Sequence, residues 1–128
     1  MEYKEFKNKI KAMLDLDDQE AEKAIEATLE TLGERLERPE RNKLAAPLQN
    51  ELKTFLLKRS AGSHFTLEDF FTRIGARSGG IHYTQTVERS KAVLIVLKEA
   101  VTDGDIQPAI KKLPHEFKEL FSQTYPVS

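Results

Sequence analysis

Two eight-residue stretches decide the fold: LETLGERL at residues 29–36 and LIVLKEAV at residues 94–101. They lie 65 positions apart, and each has an aliphatic residue at its first, fourth and eighth positions. The same offset continues without a gap from residues 32–56 to residues 97–121, where apolar anchors again match apolar anchors. A fixed spacing of anchors over most of two halves is typical of a duplicated supersecondary unit whose copies bury their apolar faces against each other.

The duplication divides the chain into two halves and a joint. Near the start of each half the offset becomes 64, which pairs Phe6 and Ile10 with Phe70 and Ile74, so one extra residue lies in the second half. At 128 residues, one domain is the default. We predict a single domain over residues 1–128, with repeat one over about residues 2–58, a linker over about residues 59–65 and repeat two over about residues 66–124.

Helical periodicity predicts four helices in each repeat, so the predicted fold class is all-α, with about eight helices packed around one core. Asp17 and Glu20 form a capping-box pattern at the start of the second helix, and Thr66 is a candidate N-cap for the fifth. The predicted helices cover about Tyr3–Leu14, Asp17–Glu37, Pro39–Ala46, Leu48–Lys58, a fifth between Thr66 and Ser78, Tyr83–Thr102, Ile106–Lys111 and Pro114–Gln123.

The segment at residues 92–97 is ambiguous, because its β-branched residues resemble a buried strand. Its counterpart at residues 27–32 has a helical pattern, so we predict a helix in the second repeat as well. Ile95 and Val96 replace polar residues of the first repeat, which makes the second long helix apolar nearly all round. This helix is expected either to be central in the domain or to present one face to another subunit.

Three sequence motifs recur in the order of a known family. Each half opens on an acidic residue followed by phenylalanine, at residues 5–6 and 69–70, and continues into a long helix that ends in a pattern like LxxLxEhL. The second half closes on LPHEFKELF at residues 113–121, whereas the first has Gln49 in place of Pro114. The chain resembles a bacterial family known as domain of unknown function 2267. The resemblance implies an all-helical soluble fold without an assigned activity, and it carries over no catalytic residues.

Composition excludes several classes of protein. Charged residues make up 32% of the chain, but the net charge is only −1, so the basic excess of a dedicated nucleic-acid binder is missing and no nucleic-acid partner is expected. The chain has no cysteine, which excludes disulfides, thiolate nucleophiles and cysteine-based metal sites. The amino terminus does not resemble a signal peptide and the longest apolar run is residues 92–97, so we expect no membrane span and a cytoplasmic location.

The histidines do not form a recognisable metal or catalytic motif. His64, His82 and His115 stand apart, and none lies in HExxH or ExxH spacing. The glycine pair that follows Ser78 lacks the GKS or GKT ending of a phosphate-binding loop. We therefore predict no catalytic residues, no cofactor and no metal site.

Two charged stripes lie on the first two predicted helices. One is acidic and the other basic: Glu22, Glu26 and Glu30 on one, Lys4, Lys7 and Lys11 on the other. Such runs usually form solvated faces, which is the first interpretation. In the second, the stripes pair with each other or one of them binds an oppositely charged partner.

Seven residues are candidate partner contacts. A basic cluster near the last helix could contact phosphate, although ordinary surface lysines are the favoured explanation. Phe71 adjoins the anchor Phe70 and aligns with Lys7, so we expect it to face outward. The candidates are Phe71, Ile95, Val96, Lys111, Lys112, His115 and Lys118.

Three functional hypotheses follow. The first is a non-enzymatic interaction module that binds an unidentified protein partner or a second copy of itself. The alternative is a protein that binds a small apolar ligand in a groove between the repeats. The third is an enzyme that uses a carboxylate in a pocket beside His82 or His115.

Overall fold

The computed structural model describes residues 1–122, which form eight α-helices and no β-strand. The helices are α1 (Tyr3–Leu14), α2 (Asp18–Arg35), α3 (Arg38–Ala45), α4 (Asn50–Leu56), α5 (Leu67–Arg77), α6 (Tyr83–Ala100), α7 (Asp103–Lys112) and α8 (His115–Ser122). The all-α prediction is therefore confirmed. None of the helices in this range is long and apolar enough to cross a lipid bilayer.

The helices follow the same order of lengths in the two halves of the chain. Helices α1 to α4 contain 12, 18, 8 and 7 residues, and helices α5 to α8 contain 11, 18, 10 and 8. Corresponding helices begin 64 residues apart for α1 and α5, and 65 residues apart for the other three pairs. These spacings agree with the offsets in the sequence, while the duplication itself stays a prediction. The predicted end of the last helix near Gln123 and that of repeat two near residue 124 lie outside the described residues.

The two long helices, α2 and α6, pack against each other. Helices α1 and α5 each contact both long helices, α4 packs on α2, and α8 packs on α6. The short helices α3 and α7 pack together, α3 also contacts α4, and α7 contacts α8. This set of contacts is unchanged when the first four helices are exchanged with the last four, as expected if two similar units share one core.

Side-chain caps set the starts of α2 and α5. The Asp17 carboxylate accepts a hydrogen bond from the backbone N–H of Glu20 at 2.8 Å, and the Glu20 side chain accepts one from the backbone N–H of Asp17 at 3.0 Å. The Thr66 hydroxyl accepts one from the backbone N–H of Asp69 at 3.1 Å. Both capping predictions are confirmed, and these bonds satisfy amides that the first helical turn leaves free.

Helix α7 begins earlier than the sequence predicts. The expected start was Ile106, but the helix begins at Asp103. The backbone N–H and the hydroxyl of Thr102 both donate to the Asp105 carboxylate, at 3.4 and 2.8 Å. Gly104 lowers the helical propensity of this turn. Propensity alone therefore does not predict the true start of the helix, which the capping bonds stabilise.

The apolar stretch at residues 92–97 is helical, as predicted, and lies in the middle of α6. Val96 is 1% exposed and Ile95 is partly buried, because α6 is in contact with α1, α2, α5 and α8. Of the two predicted placements, the central one is therefore correct. The buried surface of this helix is not entirely apolar, because its first half also buries Arg89 and Ser90.

Phe71 lies inside the domain, so the prediction that it faces outward is wrong. Its side chain is 5% exposed, and its ring makes edge contacts with Phe70 and Tyr83 at centroid distances of 5.7 and 5.9 Å. Tyr83, at the start of α6, is the exposed member of this aromatic group. The alignment of Phe71 with Lys7 was misleading, because Tyr83 of α6 packs on the Phe71 ring and helps to bury it.

Candidate functional site

The two predicted charged stripes contact each other where α1 packs on α2. Lys7 Nζ lies 3.2 Å from the Asp18 carboxylate and 3.4 Å from the Glu22 carboxylate, and Lys11 Nζ lies 3.4 Å from Asp18. The hydrogen bond with Asp18 raises the pKa of Lys7. Because the Asp18 and Glu22 side chains are about half exposed, water screens these pairs and they add little stability. This part of the stripes therefore forms a self-paired, solvated face.

Glu30, the last residue of the acidic stripe, is 3% exposed, so the prediction of a solvated side chain is wrong for it. Its carboxylate lies 3.2 Å from Lys58 Nζ, 3.4 Å from Arg59 Nη2 and 3.7 Å from Arg77 Nε. These cations come from α5 and from the segment after α4. They replace water as the partners of a buried charge.

Arg77 extends this ion network along α2. Its Nη1 donates to the Thr31 hydroxyl at 2.8 Å and to the Glu34 carboxylate at 2.9 Å, and Arg73 Nη1 lies 3.0 Å from the same carboxylate. Burial raises the pKa of Glu34, but the hydrogen bonds from Arg77 and Arg73 outweigh burial, so this pKa lies below its usual value. Because each cation already has an anion, the network is a structural element between α2 and α5.

An open cleft of about 510 Å³ lies where the end of α2 and the start of α3 meet the junction between α7 and α8. It is lined by Arg35, Leu36, Glu37, Pro39, Glu40, His64, Lys112, Leu113 and Pro114. The lining comes from the middle of predicted repeat one, from the predicted linker and from predicted repeat two. This cleft is the strongest candidate for a functional site in the described part of the chain.

Arg35 forms a buried wall of the cleft. Its side chain is 8% exposed, its Nε donates to the backbone carbonyl of Phe65 at 2.8 Å, and its guanidinium lies 5.1 Å from the centroid of the Phe117 ring. Burial lowers the pKa of Arg35, and the nearby charges of Glu37 and Glu116 oppose this shift. Within residues 1–122, no carboxylate lies within 4.0 Å of this guanidinium, whereas the buried cation of Arg89 has a carboxylate partner.

Two acidic side chains lie on the opposite part of the lining. Glu37 contacts the His64 ring, and the hydrogen bond from His64 lowers the pKa of Glu37. Glu40 differs, because its Oε1 atom is buried without a hydrogen-bond partner among the described residues. The cleft thus contains a buried cation without a carboxylate and a buried carboxylate oxygen without a donor.

The predicted basic cluster lies beside this cleft, and Lys112 is part of the lining. Lys111, Lys112 and His115 are exposed and Lys118 is partly buried. None of the four forms an ion pair with a residue in the range 1–122. The other three candidate contacts do not line the cleft, and two of them, Phe71 and Val96, are buried within the chain. Phe71 and Val96 are therefore not accessible to a partner in this structure, and the role of Ile95 as a partner contact stays a prediction.

Sequence reasoning missed four of the five ionisable residues that line the cleft: Arg35, Glu37, Glu40 and His64. One signal was present. Arg35 occupies the apolar position of the LxxLxEhL pattern, where the second repeat has Ala100. A charged residue in a buried helix at such a position needs a partner, and this requirement marks it for function. The other three residues carried no comparable signal.

The histidines remain separate in the structure. His64 contacts Glu37 in the cleft, the backbone N–H of His82 donates to the Gln85 side chain at 3.3 Å at the start of α6, and His115 is exposed at the start of α8. Among residues 1–122, no three His, Asp or Glu side chains are close enough together to hold a metal ion.

The fold and the cleft define the class of protein: over residues 1–122, an all-helical domain of eight helices with a mixed-charge cleft between the α2–α3 and α7–α8 junctions. The chain belongs to the family described as an uncharacterized conserved protein (DUF2267), which matches residues 3–120. The resemblance drawn from the sequence motifs is thereby confirmed. No curated protein matches the chain.

Proposed function

We propose that this chain is a non-enzymatic interaction module that docks a protein partner at the cleft. The observation that carries the proposal is Arg35, a buried guanidinium that faces a cleft without a carboxylate partner of its own. Arginine is enriched in the energetically dominant centres of protein interfaces, where its fixed fork of donors pairs with a partner group as water is removed. The exposed residues Lys111, Lys112 and His115 extend this surface beyond the cleft.

The exposure of the acid–base pair in the cleft supports a binding role over a catalytic one. The side chains of Glu37 and His64 are 43% and 68% exposed. Catalytic acids and bases normally work where water is excluded and the pKa values of the two groups are driven apart. The absence of catalysis and the cytoplasmic location both belong to the proposal.

A small apolar ligand in the same cleft is the second candidate function. It is favoured by Leu36, Pro39, Leu113 and Pro114, which form the apolar part of the lining. The other lining side chains are ionisable, and this mixture is more typical of protein interfaces than of pockets for apolar ligands. A fatty acid that raises the melting temperature, and loses this effect when Leu113 is replaced by Asp, would favour the second candidate.

A photo-crosslinking amino acid placed at the cleft tests the proposal. It would replace Lys112 and, in a matched control, Lys23, an exposed lysine of α2 that lies about 18 Å along the helix axis from Arg35. We expect one protein, identified by mass spectrometry in cells of the source organism, to be attached at position 112 and not at position 23. The purified protein should then bind the chain in solution.

Sedimentation equilibrium of the purified chain separates a foreign partner from a second copy. A monomer with a foreign adduct at position 112 supports the proposal, and a dimer with a self-adduct at position 112 supports its self-association form. Equal labelling at both positions, or no protein adduct at position 112, would contradict the proposal.

A further inference from the structure

The chemistry of the cleft indicates which kind of protein segment fits it. Arg35 is held by one hydrogen bond to a backbone carbonyl and by its ring contacts, so its charge is positioned without a carboxylate in direct contact among the described residues. A guanidinium in this state favours a carboxylate, which can accept two parallel N–H donors. Lys112 adds a second positive charge to the same lining.

The buried Oε1 atom of Glu40 imposes a second requirement. A buried acceptor without a donor is unfavourable, and a ligand N–H group relieves it once the partly exposed Glu40 side chain turns this oxygen toward the cleft. Glu37 does not compete for the ligand carboxylate's place at Arg35, because it already contacts His64. A ligand that matches the cleft therefore carries a carboxylate and an N–H donor together.

The start of α3 strengthens the preference for a negative group. Its N-cap residue, Glu37, makes no side-chain capping bond, and Pro39 in its first turn is part of the cleft lining. The free amides and the dipole of a helix start favour anions within about one turn.

Building on the proposed function, we infer that the partner docks through an acidic peptide segment, with one side-chain carboxylate on Arg35 and Lys112 and one backbone N–H on Glu40. A peptide supplies both groups on neighbouring atoms. The phosphodiester backbone of DNA supplies only acceptors and so offers no donor to Glu40. Inorganic phosphate carries more negative charge than a carboxylate, which the two carboxylates of the lining, Glu37 and Glu40, oppose.

The test uses a probe of defined composition on the full chain. The probe is a capped pentapeptide that alternates glutamate and leucine, and its control has glutamine in place of every glutamate. Binding is measured by calorimetry and by shifts of the backbone amide resonances. We expect the acidic peptide to shift the resonances of residues that line the cleft, with an affinity that falls as salt is added, and the glutamine peptide to cause no shift.

Four variants locate the contact, and two of them, Lys112→Glu and Lys23→Glu, lie on the surface. Lys112→Glu is expected to weaken the acidic peptide about tenfold, whereas the matched reversal Lys23→Glu changes the affinity by less than about twofold. Glu40→Gln is expected to weaken it about threefold, because the amide is a weaker acceptor than the carboxylate. Arg35→Lys should abolish binding while the variant still unfolds cooperatively.

The inference is overturned if the glutamine peptide binds as tightly as the acidic one, or if Lys112→Glu and Lys23→Glu have the same effect. It is overturned in favour of a nucleic-acid ligand if an oligothymidylate competes for the cleft more strongly than the peptide. If the crosslinker at position 112 captures a partner whose acidic segments do not bind, this inference fails and the proposed function stands. If no protein is captured there, the proposed function fails independently of the peptide.

Discussion

Helices α2 and α6 have the same length and corresponding neighbours, yet they bury different chemistry. In its second half α2 buries Glu30, Thr31 and Arg35, whereas the positions 65 residues later in α6 are Ile95, Val96 and Ala100. The first halves are reversed, since α6 buries Thr86, Arg89 and Ser90 there and α2 buries Ala21, Ala24 and Ile25. Four of these six pairs of positions are buried in both helices, and polar residues are tolerated there when they have hydrogen-bond or ionic partners.

The helix that packs on each long helix also differs in chemistry between the two halves. Arg77 of α5 contacts Glu30, Thr31 and Glu34 of α2. The position 64 residues before Arg77 is Met13 of α1, the helix that packs on α6. At this position the α2–α5 interface therefore has the cation of an ion network, and α1 has a partly buried methionine that packs on the core.

The fourth helix of each half shows a related difference. A Cβ atom added to Gly33 would lie 1.8 Å from the Leu56 carbonyl oxygen, so α4 approaches α2 more closely than any side chain allows. In α6 the corresponding residue is Lys98, whose Nζ donates to the Phe121 carbonyl at 2.9 Å. In the second half, the Lys98 side chain thus donates a hydrogen bond to the Phe121 carbonyl. In the first half, the corresponding carbonyl, that of Leu56, packs directly against Gly33.

The largest effect is expected from removing the cation of the ion network. Arg77→Met should lower the free energy of unfolding by about 3 kcal/mol, because Glu30 and Glu34 lose a partner in a buried site. Urea denaturation measures the change. Adding Glu30→Ile and Thr31→Val gives α2 the residues that α6 has at the corresponding positions. The free energy of unfolding of this triple variant should lie within about 1 kcal/mol of that of the parent. A triple variant less stable than Arg77→Met would show that the two interfaces are not equivalent.

Gly33→Ala is expected to cost about 2 kcal/mol, because the new methyl group must push α4 away from α2. The sign is informative, since the same change in an unhindered helix stabilises it by up to about 1 kcal/mol. Gly104→Ala is the matched control, because a Cβ atom there has its nearest neighbour at 3.8 Å. Urea denaturation of both variants checks the contrast, and a stabilised Gly33→Ala protein would contradict the close approach of α4.

How far the sequence predicts this molecule depends on the distance along the chain between the groups concerned. Helical periodicity and local caps such as that of Asp17 involve residues three or four apart, so the helices are predictable. The burial of Glu30 depends on Arg77, and the cleft joins Arg35 to Lys112. The sequence around Glu30 and around Arg35 does not indicate which distant residues lie beside them. The 65-residue offset bridges part of this distance, because it identified residues 92–97 as helix against their strand-like composition.

The pH dependence of Glu34 should be a smaller effect. Since the pKa of Glu34 is lowered in the folded chain from its ordinary value of 4.5, its contribution to stability is present above that value and is lost as the pH falls through the folded pKa. Glu34→Gln should therefore be less stable than the parent at neutral pH, by about 1 kcal/mol. Below pH 4.5 the difference should shrink toward zero. Thermal unfolding over this range measures it, and a difference that grows on acidification would refute the assignment.

The smallest effect is expected at the counterpart of this pair. Lys9 and Glu99 lie at the positions that correspond to Arg73 and Glu34, and their charged atoms are 3.2 Å apart. Both side chains are about half exposed, so water and salt screen the pair, and Lys9→Gln should change the free energy of unfolding by less than about 0.5 kcal/mol. Arg73→Gln should cost more, because Glu34 is only 13% exposed. Equal losses in the two variants would mean that the position of an ion pair in its half of the chain, rather than its burial, decides what it contributes.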